Sequence, residues 1–342
     1  MASRCLWDFP ENRKTAGGSR ENFIAFFGSA AFIAIFAKQN KYSNIMNKKL
    51  TILFVALITA MSVSAHKFVL ATYNIRLQSE YDTNRGESWQ QRCPYLTKLI
   101  RFHGFEIFGT QEGFLNQLED MKSQLPGYEY IGVGRDDGKK KGEHSAIFYD
   151  TSKFELLESG NFWLSPTPDR PGLGWDAACV RICTWGVFKI KGTKFKFVYY
   201  NLHMDHVGVT ARAESAKMIL NRIKEDKHKL PAILSGDFNI DQDNDGFKLI
   251  DNSGILNDAY RIAKFRYLNM STFNDYHPQG LGFDERIDHI FLTKEFTVEK
   301  YGELTDVYRT ETTDAKGKKV ARAHTPSDHY PIMIVVETKK KK

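Results

Sequence analysis

An acid and an amide two residues apart are the first residues of this chain with the types and spacing to do chemistry. They are Asp237 and Asn239 in LSGDFNID, the stretch from Leu234 to Asp241. Ile233 and Leu234 form an apolar run that Ser235 and Gly236 end. Side chains two apart on an extended chain share a face. Asp237 and Asn239 are therefore expected to project together while Phe238 turns into the core. An anionic acceptor beside a neutral amide suits a water that must be aimed at phosphorus. The plainer alternative is a strand followed by an Asx turn. The stretch alone does not choose between them.

Other segments end in the same manner. Asn74 stands in ATYNIR, Glu112 in GTQEG, Glu143 in GEHSAIFY, His203 in NLHMDH, Asp288 in RIDHI, and Asp328 with His329 in PSDHYPI. Singly, an Asp or His at a strand end is more often a cap or a surface residue than a ligand. Together they make a set of one chemical type. Oxygen ligands without cysteine favour Mg²⁺, Mn²⁺ or Ca²⁺ over zinc. Two histidines with acidic partners suit acid–base work and charge stabilisation. The run from Asp241 to Gly246 matches the opening of a calcium loop. Its twelfth position is Asn252 rather than a bidentate Glu, and Lys248 stands where an apolar residue is usual, so a polar turn is expected.

Strands and helices must carry these residues to one place. Phe68 to Ile75 alternates and is rich in β-formers, which predicts a strand. Strands are also expected at Glu106–Thr110, Tyr128–Gly134, Ser145–Tyr149, Lys153–Trp163, Arg286–Leu292 and Tyr330–Glu337. Val180–Lys191 and Phe195–Leu202 read as a hairpin about Lys191-Gly192. Helical periodicity marks Trp89–Phe102, with Pro94 a start or kink, Phe114–Gln124 and Val209–Lys224. Phe247–Ile250 and Asn257–Ala263 read as short helical pieces. Many strands, with helices between some pairs, predict two packed sheets flanked by helices. Leu164–Ala178 is a long Pro- and Gly-rich loop, and loops of that length are often functional. Trp175 within it is a candidate substrate-capping aromatic, or else an anchor holding the loop on the core.

The chain has 342 residues, and no internal repeat or Pro/Ser-rich linker interrupts it after His66. One domain over 66–338 is the simplest reading. Residues 46–65, MNKKLTILFVALITAMSVSA, show a basic start, a short apolar core and the small-residue cleavage site Val63-Ser64-Ala65. This is the pattern of a secretory signal peptide, with a mature start at His66. The apolar run is short for a membrane span, so no stable membrane anchor is expected. Residues 1–45 precede a normal-looking start methionine and read as an upstream leader from a mis-called start. Alternatively, Phe23–Ala37 is a second membrane-interacting segment. The whole chain has 48 basic and 41 acidic residues, of which the first 65 hold 8 and 3. The expected mature chain is thus nearly neutral, with a solvated lysine tail at 339–342, which weakens the case for a nucleic-acid groove. Cys93, Cys179 and Cys183 remain after cleavage. One disulfide is compatible with export, and its pairing is not legible from spacing.

With these motifs in this order, residues 68–336 resemble the endonuclease/exonuclease/phosphatase superfamily. That superfamily includes pancreatic-type deoxyribonuclease, apurinic endonucleases, deadenylases, inositol polyphosphate 5-phosphatases and bacterial sphingomyelinases. SGDFN and SDHYPI are the most specific pieces. The resemblance implies an α/β four-layer sandwich, α-β-β-α, of two packed mixed sheets flanked by helices, with the site at one edge of the paired sheets. It implies Glu112 as the principal metal carboxylate, with Asn74 and Asp328 near the metal, and Mg²⁺ or Mn²⁺ as cofactor. It implies Asp237 as the group that orients and deprotonates water, and Asn239 as the holder of that water or of a phosphate oxygen. His329 would bond the scissile phosphate, with Asp288 holding its imidazole. His203 matches a position that carries a second His in deoxyribonuclease and a Tyr in apurinic endonucleases, and Glu143 would be its carboxylate partner. The usual Asn-Thr-His is Asn201-Leu202-His203 here, a change outside the imidazole. NFWLSPTPD, RICTWGVF and NLHMDHVGVTAR resemble exported bacterial members. Asp205 and His206 would support the site from behind. Arg212 would reach a phosphate or make a helix-surface salt bridge.

The expected activity is secreted, metal-dependent hydrolysis of a phosphoester, by a monomer. Its substrate would be nucleic acid, a phospholipid head group or a small phosphorylated molecule. A nuclease should carry a basic track with stacking aromatics, and a sphingomyelinase an exposed apolar hairpin, and neither is evident. The alternative is a non-catalytic ligand-binding module on the same fold, which would predict that a site residue is lost. None is.

Overall fold

Alternation along the central strands decides the layering. In the computed structural model, which describes residues 65–267, 271–279 and 285–339, Phe197 and Tyr199 enter one apolar cluster while Val198 and Tyr200 enter another. Leu70 and Ala71 divide in the same way. A period of two sends successive side chains to opposite faces, so a strand that is apolar throughout must be covered on both sides.

The chain runs β1 (Lys67–Asn74), α1 (Glu80–Asn84), α2 (Trp89–His103), β2 (Ile107–Gln111), α3 (Leu115–Gln124), β3 (Tyr128–Ile131) and β4 (Ile147–Asp150). Next come β5 (Phe154–Trp163), β6 (Ile182–Ile190), β7 (Lys196–His203), α4 (Val209–Glu225), β8 (Ala232–Asp237), α5 (Asp245–Asp251), β9 (Asn257–Asp258) and α6 (Ala259–Ile262). The last strands are β10 (Phe265–Tyr267), β11 (Asp288–Leu292), β12 (Phe296–Glu303), β13 (Tyr308–Thr313), β14 (Lys319–His324) and β15 (Ile332–Thr338). One sheet has the order β10-β12-β15-β1-β2-β4-β3, a second β5-β6-β7-β8-β11-β9, and β13 and β14 form a separate ribbon. Both large sheets are mixed: β1 is parallel to β2 and antiparallel to β15, and β7 is parallel to β8 while β8 and β11 are antiparallel.

Leu70, Ile107, Phe197, Ile233, Ile290 and Ile334 fill the space between the sheets. Leu96 and Ile100 of α2 and Leu118 and Met121 of α3 cover the outer face of the first sheet through Ala71, Tyr73 and Phe108. Ile219 of α4 and Phe247 and Ile250 of α5 cover the second sheet through Val198, Leu202 and Leu234. The result is the expected α/β four-layer sandwich. Full burial of each such side chain is worth about 1.5–3 kcal/mol.

A polar knot also joins the sheets. Asn201 donates to the carbonyls of Thr110 and Ala146, each at 2.9 Å, and accepts from Gln111 at 2.8 Å and Ser235 at 3.2 Å. All four of its hydrogen-bonding positions are filled, as a buried amide requires. Gly109 makes room for it, since a Cβ there would meet Asn201 Oδ1 at 2.2 Å.

Several elements differ from the sequence reading. The strand expected over Tyr128–Gly134 stops at Ile131, where Gly132 turns to φ 136°. Asn257–Ala263 begins as the two-residue strand β9 before its helical turn. β12 escapes the alternation test because a bulge between Val298 and Lys300 shifts its phase. The β13–β14 ribbon is polar on both faces, so no periodicity marks it. Its base is held by the buried His324–Glu87 pair at 2.8 Å, and its exposed tip carries Lys316 and Lys318. No disulfide forms among the described residues, and Cys93 and Cys183 are buried free thiols. The expected leader, nearly all of the signal peptide and most of the lysine tail lie outside the described residues. No described helix is long and apolar enough to cross a membrane.

Candidate active site

Strand register brings the motifs together. His203 ends β7 opposite Asp237 of β8, and Asp237 stands opposite Asp288 of β11. Asn74 ends β1 opposite Gln111 of β2, and Glu112 follows at once. The two parallel pairs thus finish at one edge of the sandwich, and the turn before β15 adds Asp328 and His329.

Asn74 is at the centre. Its Nδ2 donates to Glu112 Oε1 at 2.9 Å and to Asp237 Oδ2 at 3.0 Å, and it stands 3.4 Å from His329 Nε2. Its Oδ1 accepts from the Arg76 backbone N–H at 3.0 Å. His329 Nδ1 donates to Asp288 Oδ2 at 2.8 Å, which aims Nε2 at the cluster, 3.8 Å from Asp237. Asp237 and Asn239 meet for a different reason than expected. β8 ends at Asp237, Asn239 adopts φ 52°, and its N–H donates to Asp237 Oδ1 at 2.9 Å. This is the Asx turn, and it serves the site rather than replacing it. Glu112 and Arg76 also have left-handed backbones, at φ 67° and 55°. Non-glycine residues held there cost about 1–3 kcal/mol each, a strain that clusters at functional sites.

Charge is concentrated in a buried place. Burial and the neighbouring Asp288 push the Asp237 carboxyl up to about 7. Burial and the Glu112 charge push Asp328 up to about 6. Burial opposes protonation of His329, yet Asp288 beside it, with Asp237 and Asp328, holds it up at about 10. Glu112 also resists its burial and is held below the ordinary value by Arg76 and His329. The cluster at neutral pH is therefore an imidazolium among carboxylates, with one carboxyl poised to exchange a proton.

The second histidine is of the opposite kind. Burial and the charges of Arg181 and Arg135 hold His203 neutral. Asn239 Nδ2 donates both to the Met204 carbonyl and to His203 Nε2, each at 3.0 Å. Nε2 therefore accepts, and Nδ1 carries the hydrogen. Buried Nδ1 has no protein partner and lies 3.9 Å from Glu143 Oε2. A cavity of about 10 Å³ there is lined by Glu143, His203, Arg135 and Arg181, room for about one water. Glu143 is bonded to Arg135 at 2.5 Å, and burial raises its carboxyl to about 7 against that pairing.

Two expected residues stand elsewhere. Arg212 donates to the Asp205 carbonyl at 3.0 Å, which ties α4 to the strand end rather than reaching for a phosphate or pairing with a carboxylate. Trp175 lines a groove along α4, not the cluster around Asp237. Asp205 itself is a structural hub, accepting from the N–H groups of Ala178, Cys179, Val207 and Gly208. Three arginines were missed. Arg76 lies 3.5 Å from Asp328, and Arg135 and Arg181 flank His203. Arg76 could have been found, because it stands two residues after Asn74 in ATYNIR. Arg135 and Arg181 lie in loops whose approach depends on the fold.

The donor set fits a hard dication. Glu112, Asp237 and His329 offer ligand atoms within 4.8 Å of one another. With His329 protonated, the oxygens of that group are those of Glu112 and Asp237, and Asp328 stands behind Arg76, 3.5 Å from the guanidinium that also faces Glu112. The raised carboxyls of Asp237 and Asp328 report an excess of buried negative charge that a dication relieves.

Comparison with known proteins agrees with this fold. An endonuclease/exonuclease/phosphatase family protein of Bacteroides thetaiotaomicron is 48% identical, with a TM-score of 0.77 over 81% of this chain and 97% of that one. A mannosyl-6-phosphatase of the same organism is 50% identical, with a TM-score of 0.75 over 79% of this chain and 99% of that one. An uncharacterized protein of Acanthamoeba polyphaga mimivirus is 26% identical over 262 residues, 73% of this chain and 92% of that protein. The pattern of the Endonuclease/Exonuclease/phosphatase family matches residues 71–329, from within β1 to the His329 bonded to Asp288, and the chain belongs to that family.

Proposed function

We propose that this protein is an exported, divalent-metal-dependent phosphoesterase that cleaves a phosphorylated carbohydrate. The observation that carries the hydrolytic reading is the convergence of the Asp288–His329 pair, Asp237 and Glu112 on one buried point. Glu112 and Asp328 would hold Mg²⁺ or Mn²⁺, with Asn74 Nδ2 steadying the Glu112 carboxylate, and the ion would polarise the phosphoryl oxygens. Asp237 orients a water and takes its proton at Oδ2, a role that suits a carboxyl near neutrality. Asn239, its NH₂ anchored on the Met204 carbonyl and His203 Nε2, turns its Oδ1 to keep that water in line. His329 presents Nε2–H to a phosphoryl oxygen and stabilises its growing charge, and Asp288 fixes the ring. Glu143 orients His203 through the small cavity between them.

The sugar class is supported by the phosphatase relative at 50% identity. It also agrees with the nearly neutral mature composition. Export rests on the signal-peptide pattern at 46–65, and a monomer is the proposed state.

The test is hydrolysis of p-nitrophenyl phosphate, bis(p-nitrophenyl) phosphate and mannose 6-phosphate with Mg²⁺, Mn²⁺ or EDTA, beside His329→Ala and Asp237→Ala. Metal-dependent release of phosphate from the monoesters, lost in both variants, is expected. Diesterase activity alone would overturn the sugar-phosphate assignment. Activity in EDTA or in both variants would overturn the mechanism.

A further inference from the structure

The α4 face of the second sheet carries a groove of about 760 Å³, whose lining includes none of the proposed catalytic residues. Two indoles shape it. Trp185 of β6 stands opposite Gly160 of β5, and a Cβ at Gly160 would fall within 2.8–2.9 Å of the indole. The ring therefore lies over bare backbone and forms a flat, half-buried floor. Trp175 overhangs the groove and is 36% exposed.

Trp175 is held there at a cost. Its backbone is left-handed at φ 47°. Gly174 before it packs so closely that a Cβ would meet the Leu164 carbonyl at 2.1 Å. Asp176 after it accepts from the N–H groups of Thr210 and Ala211 at 3.1 and 2.7 Å, capping α4 in place of Gly208. An exposed aromatic pinned on both sides in a strained conformation points to a ligand.

The charges say which ligand. Lys217 pairs with Glu214, and Lys227 with Glu158, each at 2.7 Å. These pairs cancel, and the other charged lining residues, Arg222 against Glu225 and Asp226, leave no positive field for a polyanion. The Asn221 amide is exposed, with donors and acceptors to offer. Flat indole faces with a planar amide between paired charges match the apolar faces and hydroxyl rims of pyranose rings.

We propose that this groove binds a neutral oligosaccharide. The proposal does not depend on the catalytic reading, since its readout is binding. The experiment is calorimetric titration of the purified protein in EDTA with maltohexaose, cellohexaose, α-1,6-mannohexaose and a heparin hexasaccharide, repeated with Trp175→Ala, Asn221→Ala and His329→Ala. At least one neutral probe should bind. Its affinity should fall about tenfold in Trp175→Ala, the loss of one stacking contact. Asn221→Ala should weaken it less, and His329→Ala should leave it unchanged. No binding by any neutral probe, or binding by heparin alone, would overturn the proposal. So would affinity that survives both groove substitutions, or that is lost in His329→Ala, which would place the sugar in the catalytic cluster.

Discussion

Asp288→Asn tests the electrostatic core of the site. The carboxylate accepts from His329 Nδ1 at 2.8 Å and holds the imidazolium up at about 10 despite burial. Its other oxygen is buried with no partner. An asparagine must either turn its NH₂ toward the Nδ1 donor or bury it at that empty position, so no rotamer repairs the loss. A hydrogen bond to a charged group is worth about 1.5–3 kcal/mol, which is about one to two pKa units at 1.36 kcal/mol each. The His329 titration should fall to roughly 8–9. The sign follows for stability. A histidine raised above its ordinary 6.5 stabilises the fold below that value and loses its contribution as pH rises through the folded value. Wild type therefore loses this contribution near pH 10, and the variant about one to two units earlier. The assay is proton NMR of the His329 ring in EDTA, joined to kcat/KM against pH with metal. The alkaline limb should move down by the same interval as the ring titration. An imidazole that still titrates at the wild-type value would refute the reasoning.

Glu143→Gln should flatten the dependence of stability on pH. Glu143 takes up a proton on folding because burial raises it from 4.5 to about 7, so wild-type stability falls as pH rises through that window. Unfolding free energies from urea titrations at pH 5 and 8 should differ by about 1–3 kcal/mol less in the variant. Asn201→Leu should destabilise by about 2–5 kcal/mol in urea, because it removes the acceptor of a buried Gln111 N–H and the donors to the Thr110 and Ala146 carbonyls between the sheets. A cost under about 1 kcal/mol would mean that this knot is not what joins the layers. Glu112→Gln should weaken Mn²⁺ binding by about tenfold or more in calorimetry while the circular dichroism spectrum stays intact. Unchanged affinity would move the metal away from Glu112.

The sequence by itself determined the layers and picked out most of the polar residues that converge at one edge. The central strands are apolar on both faces, as in VYYNLH of β7, so coverage on each side follows from period two and hydrophobicity alone. The converging residues were legible because each sits near one end of a strand, and chemistry restricts the residue types that suit metal and phosphate. Strand ends are also where sequence reasoning weakens. Asp237 and Asn239 were expected to meet by alternation, yet an Asx turn with a left-handed Asn239 brings them together. Trp175 and Arg212 were of the right type but belong to the α4 side, because loop path and helix rotation are tertiary outcomes. Arg135 and Arg181 reach His203 only through the packing of two distant loops. Tertiary structure also decided protonation. The sequence holds two similar histidines, but Asp288 keeps His329 charged, while burial beside two arginines keeps His203 neutral. Coulomb energy depends on distance and dielectric, and only the folded chain sets those.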